Sequence, residues 1–287
     1  MVGFLFILLS STAFGFSNAY WKKAIQGYSF LQIIFVRGLF TTCFVAVSAG
    51  LDREYGLFQN WLGVSPDFTW QQWCLSFGLC LFSAFGLYFF VQAMQSKAVA
   101  LVAPISSINL FGLLTTVFIL GESWGLPSSF ALVFVCLGLY FLFQKEFQFH
   151  GIRALGSAIR GGLLSSFFWG VSYTLFKFPV AWLGVLPFTL LLEGSVTLLV
   201  GIFLLFQQQA WQKIPRRPIL VLALCVILGS TFLHLAFSKA TMTQIIFVSK
   251  SQLVLTLLFG QILYKEKLSY KQWLGIACLL GSIYVIY

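Results

Sequence analysis

Along the chain, long apolar runs alternate with short breaks of charged and turn-forming residues. Read between the breaks, the runs fall near 2–20, 29–50, 73–95, 98–120, 127–143, 160–177, 185–206, 219–238, 242–263 and 271–287. Most approach the roughly 20 residues a helix needs to cross hydrocarbon, and none shows the period-two alternation of a barrel strand. Only a helix or a closed barrel satisfies its own backbone hydrogen bonds in lipid. The pattern therefore predicts an all-α membrane protein with ten transmembrane helices, spans one to ten. The connections are mostly short, the longest near 51–70 and 144–159. That leaves no soluble domain to bind nucleic acid or house an enzyme.

Composition agrees with this pattern. Of 287 residues 60% are hydrophobic and only 8% charged, and the mean hydropathy is +0.95. That is too little polar surface to clothe a soluble globule. The net charge of +10 is explained by where the 17 Lys and Arg lie. Loops after odd-numbered spans carry twelve: Lys22, Lys23, Lys97, Lys145, Arg153, Arg160, Lys213, Arg216, Arg217, Lys265, Lys267 and Lys271. Loops after even-numbered spans carry three, Arg53, Lys177 and Lys239. Positive loops stay cytoplasmic, so the count places both termini outside, with anionic headgroups balancing much of the surplus. The remaining two, Arg37 and Lys250, fall inside spans.

All six cysteines (Cys43, Cys74, Cys80, Cys136, Cys225, Cys278) lie in or beside apolar runs, with no CxxC pair and no His cluster. They read as small packing residues, not as disulfides or metal ligands. The opening MVGFLFILLSSTAFGFSNA has the apolarity of a signal peptide but no positive n-region. It reads as span one.

The chain also repeats itself. Gly15-Phe16-Ser17 through Lys22 aligns with Gly170-Val171-Ser172 through Lys177 at an offset of 155, and Arg37-Gly38 with Glu193-Gly194 at 156. Thr41 meets Thr197 in that second register, and Gly121-Glu122 meets Lys265-Glu266 at 144. Three matches in the same order at corresponding depths point to duplication, with small loop deletions shifting the offset. Five spans per half is an odd number, so the halves cross the membrane in opposite senses. The predicted units are 1–145 and 158–287, two inverted five-helix repeats.

At these residues the sequence resembles the drug/metabolite transporter superfamily, in particular its EamA-type ten-helix members. The resemblance rests on FGFSNAYWKKA and FFWGVSYTLFK at the ends of spans one and six, on the mid-span Arg37, and on the acidic turns GES and KEK. It covers essentially the whole chain. It implies transport of a small solute, since such members export amino acids, import nucleoside-like or cofactor-like metabolites, or carry other small molecules. It also implies cytoplasmic termini, opposite to the loop charges, so two orientations stay open.

Charge at the bilayer centre costs roughly 2.5 to 3.5 kcal/mol per residue on insertion scales. Arg37, Glu193 and Lys250 each sit about nine residues into their spans, roughly 13 Å deep at 1.5 Å per residue. They predict one polar layer. Thr189, Glu193 and Thr197 share a face, as do Arg37 and Thr41. Span four adds Ser106, Asn109 and Thr116, and span three adds Tyr88, Gln92 and Gln95. Arg37 and Glu193 read either as a structural ion pair between the halves or as substrate contacts. Trp169 and Tyr173 on span six, with Asn18 and Tyr20 on span one, read as an aromatic cavity wall or as packing. His234, on a face with Thr231 and Ser238, reads as a proton relay or as a helix-contact histidine. Glu122 and Glu266 read as structural groups at the N-terminus of the helix that follows each. Pro104 and Pro187 read as bends beside the cavity.

Two cations against one carboxylate leave the layer near +1, which a substrate carboxylate would neutralise. The expected function is secondary transport by alternating access, since no GxxxxGK[ST] motif is present for ATP. Export of an amino acid or small carboxylate leads. Uptake or exchange of a nucleoside-like or cofactor metabolite follows, then export of a cationic drug, for which the layer has the wrong sign. A membrane enzyme is remote, with no paired carboxylates at metal spacing and no Ser/His/Asp grouping. A channel is disfavoured by the twofold repeat. The implied partners are a small-molecule substrate, the lipid bilayer and a coupling proton or ion. No nucleic acid, cofactor or metal is expected, and the assembly expected is a monomer in the inner (plasma) membrane.

Overall fold

The structure is a computed structural model, and it describes residues 1–24, 28–55, 69–94, 109–149, 152–207, 211–265 and 267–287. These residues form twelve helices. They are α1 (Val2–Ala24), α2 (Phe30–Tyr55), α3 (Trp70–Met94), α4 (Leu110–Phe118), α5 (Leu126–Phe149) and α6 (Ile152–Leu175). After them come α7 (Lys177–Leu183), α8 (Val185–Gln207), α9 (Arg216–Phe237), α10 (Met242–Val248), α11 (Ser251–Tyr264) and α12 (Tyr270–Ile286). No strand occurs among the described residues.

Among the described residues six stretches are long and apolar enough to cross a membrane: Val2–Trp21, Phe30–Asp52, Trp70–Phe90, Val185–Phe206, Arg216–Phe237 and Met242–Tyr264. Leu126–Leu142 and Tyr270–Ile286 are shorter apolar helices. The predicted spans overlap these helices, span nine two of them and span four only α4, and residues 98–108 of span four lie outside the described residues.

The structure departs from the hydropathy reading at three places. The connection expected at 144–159 is largely helical, because α5 runs on to Phe149 and α6 starts at Ile152. Gln144, Lys145 and Glu146 are good helix formers, so the helix outlasts the apolar run. Pro187 does not bend a span: it lies in the first turn of α8, where a missing N–H costs nothing, and the chain breaks instead at Gly184 with φ 84°. Span nine is broken between α10 and α11. There Lys250 N–H donates to the Phe247 carbonyl (3.1 Å), Gln252 N–H to Ser249 (3.0 Å) and Leu253 N–H to Lys250 (3.0 Å). These i→i+3 bonds tighten the helix into a 3₁₀ turn. The Ser249 hydroxyl reinforces it by donating to the Ile246 carbonyl at 2.8 Å.

Helix packing pairs the two halves. α1 packs on α9 and α11, and α6 on α3 and α4; α2 packs on α8 and α9, α3 on α8, and α5 on α12. Exchanging α1 with α6, α2 with α8, α3 with α9, α4 with α11 and α5 with α12 returns the same set. The close approaches obey that exchange. A side chain on Gly86 of α3 would strike the Trp169 indole of α6, and one on Gly229 of α9 would strike the Phe14 ring of α1. Phe14 and Trp169 are 155 positions apart, the sequence offset itself. Lipid provides no hydrophobic drive between helices, so such van der Waals fits carry the association.

The largest core cluster gathers Phe6, Leu79, Cys80, Phe176, Leu183, Leu186, Phe188, Phe237, Met242 and Ile245. In chain order these lie toward the ends of the helices that meet the even-numbered loops and the termini. That end of the bundle is plugged by packed side chains.

Candidate functional site

A cavity of about 340 Å³ lies between the halves. On α1 it is lined by Ile7, Ser10, Ser11, Phe14, Ser17, Asn18 and Trp21. Their spacing of mostly three and four residues makes one helical face, and fourteen residues at 1.5 Å each carry it through roughly 21 Å of the bundle. On α9 the same periodicity brings Val226, Ser230, Leu233, His234 and Phe237 to its wall.

Arg37 of α2 and Glu193 of α8 line the cavity together, with Nη2 to Oε2 at 3.4 Å and side-chain exposures of 12% and 7%. Arg37 Nε is buried without a hydrogen-bond partner. Hydroxyls organise this crossing: Thr41 donates to the Arg37 carbonyl (2.9 Å), Thr197 to the Glu193 carbonyl (2.7 Å), and Thr42 and Thr197 meet at 3.4 Å. Lys250 is 4% exposed, lines the same cavity, and sits at the turn between α10 and α11. Arg37, Glu193 and Lys250 thus share one cavity, although Lys250 occupies a helix break and not a helix interior.

Asn109, Asn18, Trp169, Tyr173 and His234 also line the cavity. Asn109 precedes α4 in a left-handed conformation (φ 55°), its Oδ1 buried without a partner. Trp169 is held by Nε1 donating to the Ser83 carbonyl at 3.0 Å, and its ring lies parallel to Tyr173, centroids 6.2 Å apart and planes 7° apart. His234 Nδ1 lies 2.7 Å from Thr189 Oγ1, which is also 2.7 Å from the Val185 carbonyl. The hydroxyl has one proton, and both bonds form only if it goes to Val185 and His234 Nδ1 donates. In the neutral ring Nε2 is then the acceptor. The ring is set between Phe188 at 5.0 Å and Phe237 at 5.7 Å.

Tyr88 is the exception. It packs on Phe203 at 5.0 Å and Phe89 at 5.4 Å, while Ser83, Leu87 and Phe90 present the cavity face of α3. One residue along a helix is a turn of about 100°, enough to remove Tyr88 from the wall. Tyr20 likewise stacks on Phe16 at 5.7 Å, and the adjacent Trp21 lines the cavity. Thr116 bonds back to the Gly112 carbonyl at 2.8 Å. Gln95, Pro104, Ser106 and Glu266 lie outside the described residues, as does the side chain of Gln92.

Six serines, Ser10, Ser11, Ser17, Ser83, Ser230 and Ser249, line the wall beyond the residues the sequence singles out as candidates. The signal was present as a stripe of small polar residues at helical spacing within α1. Glu122 differs from expectation too. It does not serve α5, the helix that follows it, but accepts Met242 N–H at 2.8 Å and Thr243 N–H at 2.9 Å from α10 in the other half.

Among the described residues no group of three or more His, Cys, Asp or Glu is placed to hold a metal, and the six cysteines are free thiols. Cys43, Cys74 and Cys136 are exposed and not packed inside, since a lipid-facing surface is as apolar as a core.

The family model for the EamA-like transporter family matches residues 1–144 and 156–287. A solved crystal structure of a protein superposes with a TM-score of 0.74 at 16% identity, covering 99% of this chain and 94% of that one, which shows a shared fold. No curated protein matches the chain.

Proposed function

Since the chain belongs to the EamA-like transporter family, within the drug/metabolite transporter superfamily, we propose that this multi-pass membrane protein is a secondary carrier that exports an amino acid or small carboxylate by alternating access. Its ten spans form two inverted repeats, 1–145 and 158–287, which rock about the cavity between them. The exchange of packing partners between the halves supports that arrangement.

The observation that carries the substrate class is the charge of the cavity. Arg37 and Lys250 bring two cations to its wall and Glu193 one carboxylate. A solute carboxylate completes the neutralisation at Arg37 or Lys250, and a zwitterion places its ammonium toward Glu193. Asn18, Asn109, His234 and the parallel Trp169 and Tyr173 rings bound the rest of the solute. A volume of about 340 Å³ is at the small end of ligand pockets and suits a metabolite of this size.

A thermal-shift screen of the purified protein tests the class, because a ligand that binds the folded state raises its melting temperature in proportion to ln(1 + [L]/Kd). Free amino acids and short carboxylates are expected to stabilise, and their amides or esters to lose the effect. Stabilisation by nucleosides or quaternary amines alone would overturn the assignment.

A further inference from the structure

α10 is a seven-residue helix held at both ends by unlike means. Its first turn is gripped from the other half by Glu122. One carboxylate oxygen accepts the Met242 N–H (2.8 Å), and the other accepts the Thr243 N–H (2.9 Å) and the Thr243 hydroxyl (2.9 Å). Lys177, the first residue of α7, stands 3.8 Å from the same carboxylate. Carboxylate bonds of this kind are roughly twice as strong as neutral ones. The other end is the 3₁₀ turn at Ser249 and Lys250, where the helical ladder is already interrupted.

Between these ends Met242, Ile245, Ile246 and Ser249 face the cavity at i, i+3, i+4 and i+7. Met242 and Ile245 also belong to the cluster that plugs the even-loop end. The helix that joins the cavity wall to that cluster is therefore anchored by a carboxylate of the opposite half, and it turns at Lys250, which lines the cavity.

We propose that α10 is the gate of the even-loop end, with Glu122 as its latch and the Ser249–Lys250 turn as its hinge. Opening that end requires the three bonds to Glu122 to break. A solute carboxylate at Lys250 acts on the hinge itself, which links occupancy to gate position. The inference rests on the alternating-access reading for its role, but the movement can be tested without transport.

The test uses full-length protein in nanodiscs, with the six native cysteines replaced by alanine and one probe added, Ile245→Cys on α10 or Leu87→Cys on the α3 wall toward the opposite end. The rate of reaction with a charged maleimide is read with and without Glu122→Ala. Losing the latch is expected to raise labelling at Ile245→Cys about tenfold and to lower it at Leu87→Cys, with Glu122→Gln intermediate because it keeps one acceptor oxygen. Unchanged rates would overturn the proposal, and so would a rise at both probes, which means a melted helix and not a gate. Rates moving in opposite directions in a protein that transports nothing would refute the carrier reading and leave the gate standing. Unchanged rates in a protein with saturable counterflow would refute the gate alone.

Discussion

The Arg37 guanidinium and the Glu193 carboxylate meet at 3.4 Å across the seam between the halves, and their positions in the chain differ by 156. That separation is the offset at which Arg37-Gly38 aligns with Glu193-Gly194, so aligned positions of the two halves carry opposite charges and meet. The pair closes the seam within a layer where a lone charge is costly. Glu193→Met leaves Arg37 uncompensated and should lower stability by up to about 3–5 kcal/mol, less what the adjacent cavity returns by hydration. Adding Arg37→Gln should recover most of it. Denaturation midpoints in detergent read both effects, and an unaffected single variant would show that the pair does not hold the seam.

Gly86→Ala should destabilise by about 1–3 kcal/mol, the usual cost of overpacking, because the new methyl would lie 2.5 Å from Cδ1 of Trp169. Gly78→Ala on the same helix meets nothing within 4 Å and is the control. Melting temperatures of the two should diverge. Equal values would mean that the α3–α6 contact is looser than its geometry implies.

Tyr88→Phe should transport like the parent protein, since Tyr88 packs on Phe203 away from the cavity. Trp169→Ala should raise the half-saturating solute concentration about tenfold, the loss of roughly 1.4 kcal/mol of contact. Concentration series in proteoliposomes compare them. A Tyr88 defect as large as that of Trp169 would return Tyr88 to the wall.

The loop charges and the family resemblance place the termini on opposite sides, and labelling decides between them; the prediction here is the one the loop charges make. A single cysteine at Lys213 should resist an impermeant reagent in intact cells and react after permeabilisation. Ready labelling of intact cells would show that the charge asymmetry does not set the topology here.

The sequence disclosed what lipid makes expensive. Arg37, Glu193 and Lys250 stand out because an ionised side chain in an apolar run needs a reason, and all three reach the cavity. Tyr88 packs on Phe203 off the cavity wall, because a sequence pattern fixes a residue's face only to within one step of the helix, about 100°. The wall serines do not stand out in the sequence because serine is unobtrusive in any membrane helix, where it can bond its own backbone as Ser195 does to the Leu191 carbonyl at 2.7 Å. The break at Ser249 and Lys250 has no Pro or Gly to announce it. A carboxylate in a turn such as Glu122 does not declare which helix it will cap, and its partner α10 lies 120 positions away.

Counterflow tests the central claim, that one charged cavity between the halves carries the solute. Proteoliposomes are preloaded with an unlabelled amino acid or carboxylate chosen by the thermal-shift screen, then diluted into a trace of the labelled form. Wild type should accumulate label transiently above equilibrium and saturate with concentration, and the folded Arg37→Gln/Glu193→Met/Lys250→Met variant should do neither. Full counterflow by that folded triple variant would contradict the account.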